Sequence, residues 1–183
     1  MRMAETVKIG LTGLPGSGKT STLLKLVEML EQEGKTVGGM ITEPIIEGGH
    51  RVGLTVRNKM SGEKATLARL GYESRYMYGK FGVDLTALED VGVKALVEAE
   101  EKADVIIVDE VGKLEVESEK FVDEVKNVLD LDKTAILTLH KKSRNPLLQD
   151  IRKRDDVRIL EVTPINRNLL PYKVMKLMKG QLW

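Results

Sequence analysis

Three observations predict an α/β fold with a mostly parallel sheet flanked by helices. Apolar runs of strand length alternate along the chain with segments whose apolar residues recur every three to four positions. One run, ADVIIVD at residues 103–109, stays apolar until it ends in acid, as a strand covered on both faces should. The 183 residues, 42% hydrophobic and 31% charged, suit a single domain spanning 1–183. Composition also narrows the function. With 29 basic and 28 acidic residues the net charge is +1, which is not the footprint of a protein whose main partner is nucleic acid. Cysteine is absent, so disulfides and thiolate metal sites are excluded and a reducing interior is the natural setting. The start MRMAETVKIG lacks the apolar core of a signal peptide, and no apolar stretch is long enough to span a bilayer. The expectation is a cytoplasmic protein without a membrane partner.

Each element follows in order. Residues 7–12 read as a short buried strand. From 19 to 33, Leu23, Leu24, Val27 and Leu30 recur at helical spacing, and Gly34 follows as C-terminal cap. TVGGMIT (36–42) is a second strand, and ITEPII and HRVGLTVRN flank Glu47, Gly48 and Gly49 as an antiparallel hairpin. Residues 59–82, rich in Gly, Tyr and Arg, are expected to be an irregular, mobile insertion. TALE (86–89) fits a capping box, after which Leu88, Val91, Ala95, Leu96 and Ala99 line one helical face. Beyond the strand 103–109, a helix runs through Phe121, Val122, Val125 and Val128, and TAILTL (134–139) is another strand. The short helix LLQDIRKR precedes the strand VRILEV (157–162), and Thr163-Pro164 should open a last helix as N-cap and first-turn residue. The tail KLMKGQLW carries the single tryptophan, Trp183.

Between the first strand and the first helix stands GLPGSGKT. It matches G-x-x-x-x-G-K-[ST] at Gly13, Gly18, Lys19 and Thr20, with Leu14, Pro15, Gly16 and Ser17 filling the turn and Ser21 following. Glycines let the backbone wrap a phosphate and turn successive N–H groups inward, and the helix N-terminus adds a favourable dipole. Lys19 would bridge the β- and γ-phosphates while the Thr20 hydroxyl ligates Mg²⁺. The expected fold is therefore that of a phosphate-loop (Walker A) nucleotide-binding protein, and the expected ligand a nucleoside triphosphate.

VIIVDEVGKLE (105–115) supplies the second half of the chemistry. An acid at the C-terminal end of a buried parallel strand lies where such sheets bind ligands. Asp109 is placed to hold Mg²⁺, and Glu110, the next residue, to polarise a water beside the γ-phosphate as general base. Thr138 and His140, ending a neighbouring strand, could orient the same water or sense the γ-phosphate. Phosphoryl transfer gains from a further cation. Lys113, close in sequence to the acids, is the expected one, while most of Arg144, Arg152, Arg154 and Arg167 read as surface charges. Arg69, Arg75, Tyr72, Tyr76 and Tyr78 in the insertion could form a lid or stack on a base. With no arginine assigned to the γ-phosphate, turnover is expected to be slow, about 10⁻⁴ s⁻¹ in unaided sites of this type.

The phosphate loop is generic, but GGMITEPIIEGGHRVGL (38–54), GVDLTALEDVGVKAL (82–96), VIIVDEVGKLEVESEKF (105–121) and DVRILEVTPINRNLL (156–170) are more specific. Together they resemble the thermophile nucleoside-triphosphatases, whose vertebrate member is the cancer-related nucleoside-triphosphatase. The resemblance implies the RecA-like branch of phosphate-loop folds. It also implies Mg²⁺-dependent hydrolysis of nucleoside 5′-triphosphates, ATP and GTP among them, to diphosphate and phosphate, with broad base tolerance. By resemblance, nucleotide contacts fall on residues 13–20 and on Val105, Ile106, Ile107, Val108, Asp109, Glu110, Val111 and Gly112. Asn166 and Arg167 match the family's T-P-x-N-R and are expected near the base or ribose. Pro44-Ile45 and Lys80-Phe81 depart from the family pattern. Nucleic acid is not expected to be required, and a monomer is favoured.

Three rival readings stay open. A small phosphate-loop kinase would need an acceptor pocket and an arginine-bearing lid, which 59–82 could supply. A signalling GTPase would use Asp109-Glu-Val-Gly112 as D-x-x-G and Asn58-Lys59 to read guanine, although Ser61 stands where that motif needs an acid. A nucleotide-gated interaction module would dock partners on the hairpin and the C-terminal tail.

Overall fold

The structure is a computed structural model that describes residues 6–180. Trp183 lies outside them. The first apolar run becomes β1 (Lys8–Gly13), which the phosphate loop joins to α1 (Lys19–Gln32). The chain leaves α1 through paired bonds characteristic of a Schellman ending, Lys35 N–H to Leu30 O and Gly34 N–H to Glu31 O, both 3.0 Å. Leu23, Leu26, Val27 and Leu30 form the buried stripe of α1, whereas Leu24, expected on that stripe, is exposed. Its place is taken by Leu26, which completes the i, i+3, i+4, i+7 pattern.

Strand β2 (Val37–Glu47) turns back into β3 (His50–Asn58) as the expected hairpin, with Glu47 opposite His50. The segment expected to be irregular then supplies three more strands: β4 (Lys64–Leu70), β5 (Met77–Tyr78) and β6 (Phe81–Val83). Its alternation is hidden because β4 carries a register shift against β3, which places Leu67 and Ala68 side by side in the core. The following helix opens one residue before the expected capping box. Asp84 caps it by accepting from Ala87 N–H at 3.2 Å, and Glu89 instead accepts from the Ser118 hydroxyl at 2.6 Å. That helical segment comprises α2 (Leu85–Ala87), a π-helical stretch (Leu88–Val93) and α3 (Lys94–Lys102).

The rest of the alternation runs as expected through β7 (Val105–Val111), α4 (Glu119–Asp130), β8 (Thr134–His140), α5 (Pro146–Lys153) and β9 (Val157–Glu161). Thr163 and Asn166 do exchange box-like bonds, Asn166 N–H to Thr163 Oγ1 at 3.2 Å and Thr163 N–H to Asn166 Oδ1 at 2.8 Å. They close only a run of turns, however, and α6 (Leu170–Met178) begins later.

Among the described residues nine strands join one sheet in the order β5-β6-β4-β3-β2-β7-β8-β1-β9. The portion β2-β7-β8-β1-β9 is parallel, and β3, β4, β6 and β5 add an antiparallel flank. Strand β7 shows why its first four residues are all apolar. Ile106 and Val108 enter the core under α3, α4 and α5, while Val105 and Ile107 enter the core under α1 and α6. β8 stands between β1 and β7, so the carboxyl ends of the loop strand and the acid strand open onto the same rim of the sheet.

Candidate active site

A cavity of about 420 Å³ opens at that rim. Its floor is the phosphate loop. Gly18 ends the loop with φ at 105°, a left-handed conformation that a side chain would strain, and α1 starts at the next residue. The arrangement aims the first N–H groups of α1 at the cavity, where an anion is favoured. Pro15, Gly16, Gly18, Lys19, Thr20 and Ser21 line it.

Asp109 and Glu110 leave the end of β7 and face this floor. The Thr20 hydroxyl lies 3.3 Å from both Asp109 carboxylate oxygens, and the Thr138 hydroxyl donates to Asp109 Oδ1 at 2.7 Å. Thr138 therefore orients the acid from the neighbouring strand. Burial lifts the Asp109 carboxyl to about 6 despite these two hydroxyls, and the Glu110 charge adds to the rise. Lys19 Nζ donates to Glu110 Oε2 at 2.9 Å and to the Leu139 carbonyl at 3.2 Å. The peptide between Asp109 and Glu110 is cis.

Lys113 lines the same cavity, as does His140, whose imidazole is held below its ordinary range mainly by burial. The other cations separate. Arg152 donates to the carbonyls of His140, Lys141 and Ser143, and Arg154 pairs with Asp130 and Asp156, so both hold loops together. Arg167, expected on the surface by charge alone, lines the cavity with its stem packed over Gly18. Asn166 does not line it. Its amide is engaged with the Glu161 carbonyl and Thr163 N–H, a structural turn.

The stretch from Val105 to Gly112 also divides. Val105, Ile106, Ile107, Val108 and Val111 are buried in the two cores rather than at the cavity, and of β7 only Asp109 and Glu110, near its carboxyl end, reach it. Gly112 does not line it, and Leu14 and Ser17 face a separate groove beside β9. Gly13 has another role: a Cβ there would meet Ser17 Oγ at 2.5 Å and the Val162 carbonyl at 2.7 Å, so it lets the loop lie close to β9.

Several lining residues had no motif to announce them, among them Thr42, Pro44 and Leu114, whereas Tyr78 was among the tyrosines expected to form a lid or stack on a base. Arg51 and Leu54 come from β3, Tyr78 from β5, and Glu115 from the 3₁₀ turn after β7. Glu115 is buried, and desolvation together with the Glu110 charge raises it well above the usual carboxylate range. Asn58 is withdrawn from any base-reading role. It is buried, accepts from Met60 and Ser61 N–H, and donates to Glu98 at 3.0 Å, while Lys59 pairs with Glu31.

Comparison with known proteins agrees with this geometry. A family described as NTPase matches residues 8–175. The chain belongs to that family. It is 43% identical to nucleoside-triphosphatase THEP1 of Picrophilus torridus over 175 residues, 96% of this chain and 97% of that protein. The Thermotoga maritima protein of the same name is 40% identical over 94% of this chain and 96% of its own length. Among solved structures, THEP1 of Aquifex aeolicus superposes with a TM-score of 0.83 at 29% identity, covering 94% of this chain and 99% of that one. A human cancer-related nucleoside triphosphatase superposes at 0.80 with 34% identity, covering 98% and 100%. The fold is that of the phosphate-loop NTPases, and the protein is a nucleotide-binding hydrolase of the nucleoside-triphosphatase class. Among the described residues no helix is long and apolar enough to cross a membrane.

Proposed function

We propose that the protein hydrolyses nucleoside 5′-triphosphates, ATP and GTP included, to nucleoside diphosphate and phosphate, with Mg²⁺ and broad tolerance of the base. The observation that carries this reading is the meeting of Lys19, Thr20, Asp109 and Glu110 at one end of the sheet. Thr20 and Asp109 offer two hard oxygens, a donor set suited to a cation that takes its remaining ligands from water and substrate phosphates. When bound there, Mg²⁺ would neutralise charge on the β- and γ-phosphates.

The chain's own residues account for the remaining steps. The loop N–H groups cradle the phosphates, and Lys19 exchanges Glu110 for phosphate oxygens as the nucleotide enters. That exchange frees the Glu110 carboxylate to accept a proton from a water in line with the γ-phosphate. The water oxygen bonds to phosphorus as the bond from phosphorus to the bridging oxygen breaks, and the departing electron pair stays on the nucleoside diphosphate. Thr138 keeps Asp109 oriented throughout. Lys113 adds positive charge beside His140.

The structural engagement of Asn58 and Lys59 supports acceptance of several bases, since it removes the guanine-reading pair. Turnover is slow, on the order of 10⁻⁴ to 10⁻² s⁻¹. The reading places the protein in the cytoplasm, as one domain over 1–183, a monomer that needs no nucleic acid. Glu110→Gln tests it. Hydrolysis should fall by about 10²-fold or more while nucleotide affinity is kept or raised, because Lys19 loses the anion that competes with phosphate. Wild-type turnover in that variant would place the base elsewhere.

A further inference from the structure

Three cations line the cavity besides Lys19: Lys113 after β7, Arg167 after β9 and Arg51 on β3. We propose that Arg51 is the arginine, supplied within the chain, that contacts the γ-phosphate as charge develops on it in the transition state. The proposal rests on the hydrolytic reading of this site.

Strand register is the first support. Side chains three apart on a regular strand face opposite sides of a sheet, yet Arg51 and Leu54 line one cavity. The hairpin shows how. Ile45 pairs with Gly53 and Ile46 with Arg51, so Val52 is an extra residue with no partner. This one-residue bulge turns Arg51 to the side shared by Leu54 and by Pro44, which is paired opposite Leu54. Bulges beside active sites re-aim side chains in this manner.

The second support is a contrast between neighbours. Arg57 pairs with Glu43 at 2.6 Å, and Arg69 with Glu47 at 2.7 Å. Arg51 lies on the same antiparallel flank, but among the described residues it has neither an ion pair nor a hydrogen bond. Its planar fork of donors is left for a ligand, and that fork suits phosphate oxygens better than a point charge does.

Packing and side-chain chemistry separate Arg51 from its two competitors. Tyr78 shares its wall and lies within reach of the charges of Glu110, Glu115 and Arg51. Arg167 lines the cavity too, but its stem packs over Gly18 and it also lines a second groove with Ser21 and Thr22 alongside α1. Lys113 stands near His140, which also feels the Glu110 charge, so Lys113 too lies by the acids; what separates it from Arg51 is a single ammonium in place of a planar fork of donors. In the step itself Arg51 transfers no proton. Glu110 takes the water's proton, the bridging oxygen leaves with its electron pair, and the guanidinium donates N–H bonds to phosphate oxygens as their charge grows.

The test combines Arg51→Ala, Arg51→Lys and Glu110→Gln, with three readouts: steady-state turnover of ATP, affinity for a non-hydrolysable ATP analogue, and trapping of ADP by Mg²⁺ with aluminium fluoride. Thermal unfolding checks that each variant is folded. Arg51→Ala should bind the analogue like the wild type, lose turnover by about 10²-fold or more, and fail to trap ADP with aluminium fluoride. Arg51→Lys should recover little, whereas added guanidinium ion should restore part of the activity of Arg51→Ala. Unchanged turnover, retained trapping, or a loss confined to analogue affinity would overturn the assignment. Should Arg51→Ala unfold, the same three readouts on Arg51→Lys decide. If the wild type releases no phosphate from ATP, the hydrolytic reading of the site fails; if Glu110→Gln turns over like the wild type, only the base lies elsewhere. If Glu110→Gln is silent and Arg51→Ala is normal, only the role of Arg51 fails.

Discussion

The parallel and antiparallel parts of the sheet contribute to one cavity by different physical routes. The parallel part, from β2 to β9, places its functional groups at strand ends, where a short motif is enough to position them. Lys19, Thr20, Asp109 and Glu110 all arise this way. The antiparallel flank contributes Arg51, Leu54 and Tyr78 from within or beside strands, and their aim depends on pairing register. Chemistry that depends on loops at strand ends is local in sequence. Chemistry that depends on register is not.

The largest expected effect falls on the parallel part. Lys19→Ala should lose both nucleotide binding and turnover, the latter by at least about 10²-fold, because a cation that would meet the phosphates in a partly dry site is removed. Titration calorimetry with ATP and a phosphate-release assay measure the two losses. Wild-type affinity would contradict the cradle and dissolve the distinction between the two parts.

This difference also explains how much the sequence disclosed. The alternation of elements was legible, as were the phosphate loop and the acid pair, because each is encoded within about a dozen contiguous residues. The flank was not. KATLARL lacks clean alternation, since the shift opposite β3 buries Leu67 and Ala68 together, and the segment from 59 to 82 looked irregular for that reason. Arg51 could be found only by knowing that Val52 is skipped in the pairing. The family resemblance reached further than the cavity lining. It extended nucleotide contact to Val105, Ile106, Ile107 and Val108, whose apolar side chains are what bury β7. Thr163 and Asn166 formed a genuine box that the chain used for a turn rather than a helix.

A second variant asks whether the two parts are one cooperative unit. They join where β2 pairs with β7 on one side and β3 on the other. Gly39 sits in that seam with φ at 122°, and a Cβ there would lie 2.0 Å from the Ile107 carbonyl oxygen. Gly39→Ala should therefore cost about 3 kcal/mol or more and lower Tm by roughly 6 °C or more for a chain of this size. One cooperative calorimetric transition is expected. Two resolved transitions would mean that the flank melts independently and that its residues are held less firmly than the loop.

Smaller effects distinguish wall from chemistry within the flank. Tyr78 is pushed above its ordinary range by burial and by Glu110 and Glu115, so its hydroxyl stays neutral at working pH. Tyr78→Phe keeps the ring and should change KM for ATP only slightly, with kcat near wild type. A collapse of kcat in that variant would mean that the flank supplies a second chemical group besides Arg51.

The smallest effect lies outside both walls and serves as their control. Glu124 on α4 is buried, and desolvation followed by the neighbouring Glu100 carboxyl lifts it to about 7. In the unfolded chain the same group titrates near 4.3. The folded state thus keeps a proton that the unfolded state has given up, and stability declines as pH rises from about 4 to 7, staying low above that range. Glu124→Gln removes the titration and keeps the shape. Its Tm should match wild type at pH 4 and exceed it at pH 8, with turnover and nucleotide affinity unchanged, since neither wall of the cavity contains Glu124. An equal shift at both pH values would mean that packing, not the raised carboxyl, sets the effect. Altered turnover would mean that the helix layer on this face is coupled to the cavity and cannot serve as a control for either wall.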